Sequence, residues 1–355
     1  MAMILLLAAP AGAATRSPEP SRAALFAVPR PAVPPRDVVV GRASVVSARI
    51  SATTSAASTS DRYPIEDGSG ATIAVNVTAA CQESCNAADP AAIARTVGAF
   101  IHGPEVELVT VQLDTPFQLS FDCGYAAQAC YFSSENRIVL SGDASLGPDG
   151  ASREFVLAHE YGHHVAAHRQ IPLPFPAAID WGPEHWSSYE RVCQGHRAGA
   201  FFPGDEGGHY YEDPGEAFAE SFAYQRFPSD TVKWGWTPVL RPDVGAFRAI
   251  RRDTLDPWRG RSGHVLSGLV PPNGVVVRQF PTPLDGLVSI GPVGSPHLGY
   301  ELILRSQAGK VLRTSRHVAS RNRIDYTACG ESRLRVAIRP TGGAGTPYRL
   351  TIRRP

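Results

Sequence analysis

The sequence has little lysine, no surplus of charge of either sign, and no long apolar run beyond its first ten residues. Lys233 and Lys310 are its only lysines, the rest of its 34 basic residues being arginine, which reads as coding bias rather than chemistry. Acidic residues number 33, for a net charge of +1. Such a balance supplies no global field to gather nucleic acid or an anionic membrane, although it leaves room for a local patch. No nucleic-acid partner is therefore expected. Nothing after the N-terminus approaches the roughly 18–20 apolar residues that a membrane-spanning helix needs. No Cys-x-x-Cys occurs among Cys81, Cys85, Cys123, Cys130, Cys193 and Cys329, so the usual zinc-ribbon and thioredoxin spacings are absent.

What is present points to a folded, exported chain. At roughly 150 residues per domain, 355 residues predict two domains and a tail. Hydrophobic residues at 43% against 19% charged can bury a core, which excludes a wholly disordered protein. The apolar run Met1–Pro10, followed by Ala11-Gly-Ala-Ala14, resembles a signal peptide over residues 1–14, although a basic start is missing. A secreted, extracellular bacterial protein with an even cysteine count favours disulfides. Cys81/Cys85 and Cys123/Cys130 are near enough in sequence for local bridges, which would leave Cys193 for Cys329, but six cysteines allow 15 connectivities. Residues 15–62 are rich in Pro, Ser and Ala and read as a linker or a pro-segment.

Alternation from Ile73 to Val77 predicts a strand, and Asp89-Pro90 opens a helix reaching Ile101. Val106–Leu113, Phe117–Phe121 and Arg137–Leu140 read as further strands. Ser152 can cap a helix that runs to about Arg169, before Pro172, Pro174 and Pro176. A loop region follows over 171–212, and Asp213-Pro-Gly-Glu216 starts a second helix ending before Pro228. From about residue 262 to 355 short period-two runs alternate with Gly, Pro and Asn turns, which predicts a β-sandwich.

The first of these helices carries His159-Glu160-Tyr161-Gly162-His163. Positions i and i+4 share a helix face, so the two imidazoles can grip one zinc ion while Glu160 projects towards a water that the metal activates. The pattern arises by chance in roughly one or two per hundred chains of this length. A catalytic zinc needs a third protein ligand and one open position. One family of zinc proteases places a third histidine ten residues after the first, but here that position is Arg169, position 166 is alanine instead of glycine, and His168 is out of register. The other solution is a glutamate on a later helix. Glu216-Ala-Phe-Ala-Glu220 offers two carboxylates at i, i+4, 53 residues beyond His163. Glu216 is taken as ligand and Glu220 as the carboxylate that hydrogen-bonds a ligand histidine. Were Glu216 instead to complete a capping box with Asp213, Glu220 would be the ligand. His164 and His168 lie about 100° round the helix and read as a solvated face.

His159-Glu-Tyr-Gly-His163 with Asp213-Pro-Gly-Glu216-Ala-Phe-Ala-Glu220 resembles the gluzincin class of zinc metallopeptidases, particularly the branch with Glu-x-Phe-Ala-Glu on its second helix, which includes lethal-factor-like peptidases. The resemblance covers about Val106 to Arg226. It implies an α+β zincin-like catalytic domain, here over 63–258 and ahead of the all-β sandwich domain (262–355) read from the alternation, with zinc on His159, His163 and Glu216 and Glu160 as general base. It also implies a tyrosine or histidine that stabilises the oxyanion. Of His209, Tyr210 and Tyr211, Tyr210 or Tyr211 is the expected one, and Arg137–Leu140 fits the edge strand that binds a polypeptide substrate. Tyr300-Glu-Leu-Ile-Leu-Arg305, Gly330–Ile338 and Gly345–Ile352 are similar to the pre-peptidase C-terminal domain of secreted bacterial proteases, without its Asp-Leu pair at the first strand. A monomeric zinc metalloendopeptidase is the leading expectation. Its rivals are an extracellular binding protein with a structural or inactive zinc site, and a zinc hydrolase of non-peptide substrates.

Overall fold

The computed structural model describes residues 60–124, 127–143, 151–205, 207–228, 232–293, 300–316, 322–342 and 345–355. The expected signal peptide and the linker up to residue 59 lie outside them. The described residues all belong to one compact unit, in which an α/β part precedes an all-β part.

The first part opens with β1 (Ser60–Pro64) and β2 (Thr72–Val77), followed by α1 (Ala79–Ser84), α2 (Pro90–Gly98), β3 (Thr110–Asp114) and α3 (Pro116–Cys123). β1 takes in Ser60–Arg62, the end of the segment read as linker. β4 (Ala129–Phe132) and β5 (Arg137–Ser141) complete a five-stranded sheet of order β1-β2-β3-β5-β4, in which β2, β3 and β5 run parallel. Ile138, Val139 and Leu140 are all buried, as expected of a strand covered on both faces. This corrects one expectation: Arg137–Leu140 is interior, and the edge beside it is β4, which runs antiparallel to it.

Two further strand expectations change. Val106–Leu113 begins as a 3-10 turn over Pro104–Glu107, and the strand starts only at Thr110. Phe117–Phe121 is helical, because Thr115 accepts from the Gln118 N–H and Pro116 sits at the first helical position. That start signal outweighs the β propensity of the phenylalanines. Phe117 and Phe121, one turn apart, then stack edge-on at 4.8 Å on the solvent side.

α4 (Arg153–Ala167) is capped by Ser152, whose hydroxyl accepts from the Phe155 N–H at 3.1 Å. The region read as loop, 171–212, contains three short helices, α5 (Ala178–Trp181), α6 (Glu184–Tyr189) and α7 (Val192–Arg197). α8 (Pro214–Arg226) packs along α4, and α9 (Val244–Leu255) closes this part. α9 holds α6 in place: the buried Asp253 carboxylate accepts the N–H groups of His185 and Trp186 at 2.9 and 2.8 Å.

The all-β part comprises β6 (Ser262–Val270), β7 (Val276–Pro281), β8 (Gly286–Pro292), β9 (Tyr300–Ser306), β10 (Val311–Ser315), β11 (Ile324–Ala328), β12 (Arg333–Pro340) and β13 (Thr346–Arg354). They make two four-stranded antiparallel sheets, β10-β9-β12-β7 and β11-β8-β13-β6. Inward residues of both sheets, among them Ile290 and Ile352 of one and Leu304 and Val336 of the other, share one core. Disulfides join Cys81–Cys85, Cys123–Cys130 and Cys193–Cys329. The last links α7 to the turn after β11, where Arg197 also donates to the Thr327 carbonyl at 3.2 Å and the Ser188 hydroxyl accepts from the Asp285 N–H at 2.8 Å.

Candidate metal centre

α4 and α8 approach closely because Gly162 has no side chain. A Cβ there would lie 2.8 Å from the Ala219 Cα, so any larger residue would push the helices apart. The approach brings Glu216 across to the histidine pair. Nε2 of His159 and Nε2 of His163 stand 3.3 Å apart, and each lies 3.3 Å from an oxygen of Glu216. On its far side Nδ1 of His159 donates to Oε2 of Glu220 at 3.0 Å. That bond fixes the ring and leaves Nε2 as the lone-pair donor facing Glu216.

The donor set fits zinc. Two donors each about 2.05 Å from one ion at the tetrahedral angle stand about 3.3 Å apart, which is the separation of the two imidazole nitrogens and of each from one of the two Glu216 oxygens. Two imidazoles and a carboxylate are also the ligand types of a catalytic zinc site. Burial pulls the imidazole pKa values down, but Glu216, joined at His159 by Glu220, raises both above the ordinary histidine value. Burial works the other way on Glu216, yet His163 and His159 hold its carboxyl far below the usual range. Glu216 is thus ionised beside the imidazoles, the form a metal ligand needs.

Local structure explains why Glu216 is free for this role. The Asp213 N–H goes to the Tyr210 carbonyl, and the Asp213 carboxylate caps α8 by accepting the Gly215 N–H at 2.8 Å. The capping box that would have occupied Glu216 is not formed.

The three ligand candidates line a cleft of about 440 Å³. Glu160, between the two histidines, is in its wall, as are Asp180, Tyr131 of β4 and Tyr210. Desolvation, then the charge of Glu216 and a hydrogen bond to it, raise the Tyr210 phenol, which is thus protonated at neutral pH. Tyr211 does not line the cleft and is 60% exposed. His209 is likewise outside it, stacked on Phe202 at 3.7 Å and bonded to Asp205 at 2.6 Å.

The expectation of a solvated face for His164 and His168 is overturned. His164 is fully buried, its Nε2 donating to the Glu105 carbonyl at 2.9 Å and its Nδ1 accepting from the Tyr131 hydroxyl at 3.0 Å. Burial lowers its pKa to about 4, so it stays neutral. His168 is half-buried and bonds the His164 carbonyl. The helix has no solvent face here, because α8 covers one side and the sheet the other. Arg169, at the position where another family carries a histidine, forms a buried ion pair with Glu105 at 2.9 Å and reaches the Asp253 and Thr254 carbonyls. Gly162 and Tyr131 escaped the sequence reading. A glycine within a helical metal motif was the available signal for the first; for the second there was none.

The chain matches no protein-family profile and no curated protein. Among solved structures it is similar to the periplasmic g-type lysozyme inhibitor PliG of Aeromonas hydrophila, at 7% identity and TM-score 0.22 over 25% of this chain and 83% of that one. The Yersinia pseudotuberculosis-derived mitogen gives 13% identity and TM-score 0.21 over 26% and 86%. The pre-peptidase C-terminal domain of a collagenase from Bacillus anthracis gives 8% identity and TM-score 0.21 over 25% and 88%.

Proposed function

We propose that the chain is a secreted zinc metallopeptidase of gluzincin type, with a zincin-like catalytic part followed by a sandwich of the pre-peptidase C-terminal kind. The observation that carries the reading is the convergence of His159, His163 and Glu216 at 3.3 Å separations beside Glu160 in one cleft. Zinc held there would polarise a carbonyl and lower the pKa of its water towards 7.

The chain's own groups supply the rest. The Glu160 carboxylate takes a proton from the attacking water and passes it to the leaving amine, so no covalent intermediate is needed. The protonated Tyr210 hydroxyl donates to the carbonyl oxygen as it gains charge. β4 borders the cleft with an edge that no other strand covers among the described residues, and an extended peptide can pair with it. That edge favours peptides over other hydrolysable substrates. The three disulfides agree with export.

The test compares wild type with Glu160→Gln on unfolded protein substrates, with zinc content measured in both. Equal zinc and activity lowered roughly 10²–10⁴-fold are expected. Equal activity, or no zinc in either protein, would sink the proposal.

A further inference from the structure

The balanced total charge conceals a segregation. Residues 63–258 contain 26 acidic and 12 basic side chains, a net charge of −14. Residues 262–355 contain 4 acidic and 13 basic ones, a net charge of +9. Three of the four acidic groups in the sandwich are already engaged. Glu301 is buried and paired with Arg316 and Arg339. Glu331 accepts from the Cys329 N–H and the Tyr326 hydroxyl, and Asp285 is buried against the Gly330 N–H. Only Asp325 remains at the surface, beside Arg323.

The positive charge has a focus. On the outer face of the β11-β8-β13-β6 sheet, a cleft of about 240 Å³ is lined by Ser289, Gly291, Pro292, Arg323, Thr351 and Arg353. Register puts Ser289 of β8 beside Arg353 of β13 on one side and Asp325 of β11 on the other, with Gly291 beside Thr351 in the next row. Arg261 joins from the chain entering β6: its Nη2 donates to the Ser289 hydroxyl at 2.7 Å, which also receives Nη2 of Arg323 at 3.3 Å. Three guanidinium groups thus surround a floor of serine, glycine and threonine, with one carboxylate among them. Burial and then the charge of Arg323 lower the Arg261 pKa, although Asp325, paired with Arg323 at 3.0 Å, works the other way.

We propose that this face binds an anionic polysaccharide, with sulfate or carboxylate groups of successive sugars seated among Arg261, Arg323 and Arg353. The guanidinium fork matches planar carboxylate and tetrahedral sulfate alike. The short side chains of the floor let a chain of sugars lie against the sheet. Nucleic acid fits less well, because the aromatic residues of this sheet, Tyr326 and Tyr348, pack towards the core and leave no stacking platform on the outer face. The acidic part repels the same polymer, which confines attachment to the sandwich and keeps the metal cleft clear of it. The inference does not depend on the peptidase reading.

The experiment titrates the full chain with dextran sulfate, unsulfated dextran, duplex DNA and phosphatidylglycerol vesicles at several salt concentrations. Dextran sulfate is expected to bind tightest, with affinity falling as salt rises, and unsulfated dextran not at all. Replacing Arg261, Arg323 and Arg353 by serine should weaken binding at least tenfold and flatten the salt dependence. Arg95→Ser, on the acidic part, should change nothing. Should the triple variant fail to fold, Ser289→Asp puts a negative charge on the floor of the cleft and must weaken binding by a similar factor. Tighter binding to DNA or vesicles, equal binding to unsulfated dextran, or wild-type affinity in the variants overturns the proposal. So does salt-sensitive self-association that disappears with the three arginines, which would make the partner a second copy of this chain.

Discussion

Two adjacent tyrosines, Tyr210 and Tyr211, separate cleanly in the structure: one contributes to the cleft wall and the other faces solvent. Tyr210→Phe should therefore lower kcat roughly 10²-fold by removing one donor to the developing oxyanion, while Tyr211→Phe leaves it unchanged. Measuring both against the same peptide checks the assignment; equal losses would refute it. The two glutamates of α8 differ in the same way. Glu216→Ala removes a ligand candidate and should abolish stoichiometric zinc. Glu220→Ala removes only the partner of His159 Nδ1 and should weaken zinc about 10–100-fold. Competition with a chelator of known affinity measures both, and the reverse order would exchange their roles. The spacing of the motif made these residues legible, since i, i+4 pairs on two helices need no knowledge of the fold. His164 was not legible, because its burial comes from Tyr131 and Glu105, 33 and 59 residues away.

Among the elements, the contact between α4 and α8 matters most. Gly162→Ala would place a methyl group 2.8 Å from the Ala219 Cα. The helices must then separate, at an expected cost of about 1–3 kcal/mol, and Glu216 retreats from the histidines. Thermal unfolding and zinc titration should show both effects; a variant with wild-type zinc affinity would mean that Glu216 reaches the pair without this close approach. Capping signals identified both helices from sequence, because Ser152 and Asp213 act within their own turn. Where local signals disagreed the reading failed: at 117–121 alternating apolar residues masked the Thr115-Pro116 start of α3. The place of β5 inside the sheet was equally hidden, since neighbours in a sheet are set by topology and not by a strand's own sequence.

At the scale of the whole molecule, the junction between the two parts holds a buried acid. Burial raises the Asp285 pKa to about 7, from an ordinary value near 3.8, against the Gly330 N–H that favours its charged form. A folded-state pKa above the unfolded one means full stability below about pH 4 and a loss as pH rises towards 7. Asp285→Asn keeps an acceptor for Gly330 and should remove that decline, worth on the order of 4 kcal/mol across the interval. Unfolding midpoints of the two proteins between pH 5 and 8 provide the check, and parallel curves would refute it. Charge segregation was present in the sequence but invisible in its sum, because two opposite excesses cancel. The Cys193–Cys329 bridge spans 136 residues and crosses the segment 256–261 between α9 and β6. The backbone and the bridge therefore close a covalent ring through both parts. For an enzyme proposed to cut polypeptides, that ring is protection against its own kind: a nick between α9 and β6 opens the ring but releases neither part. The two fragments would separate only once a reductant is added.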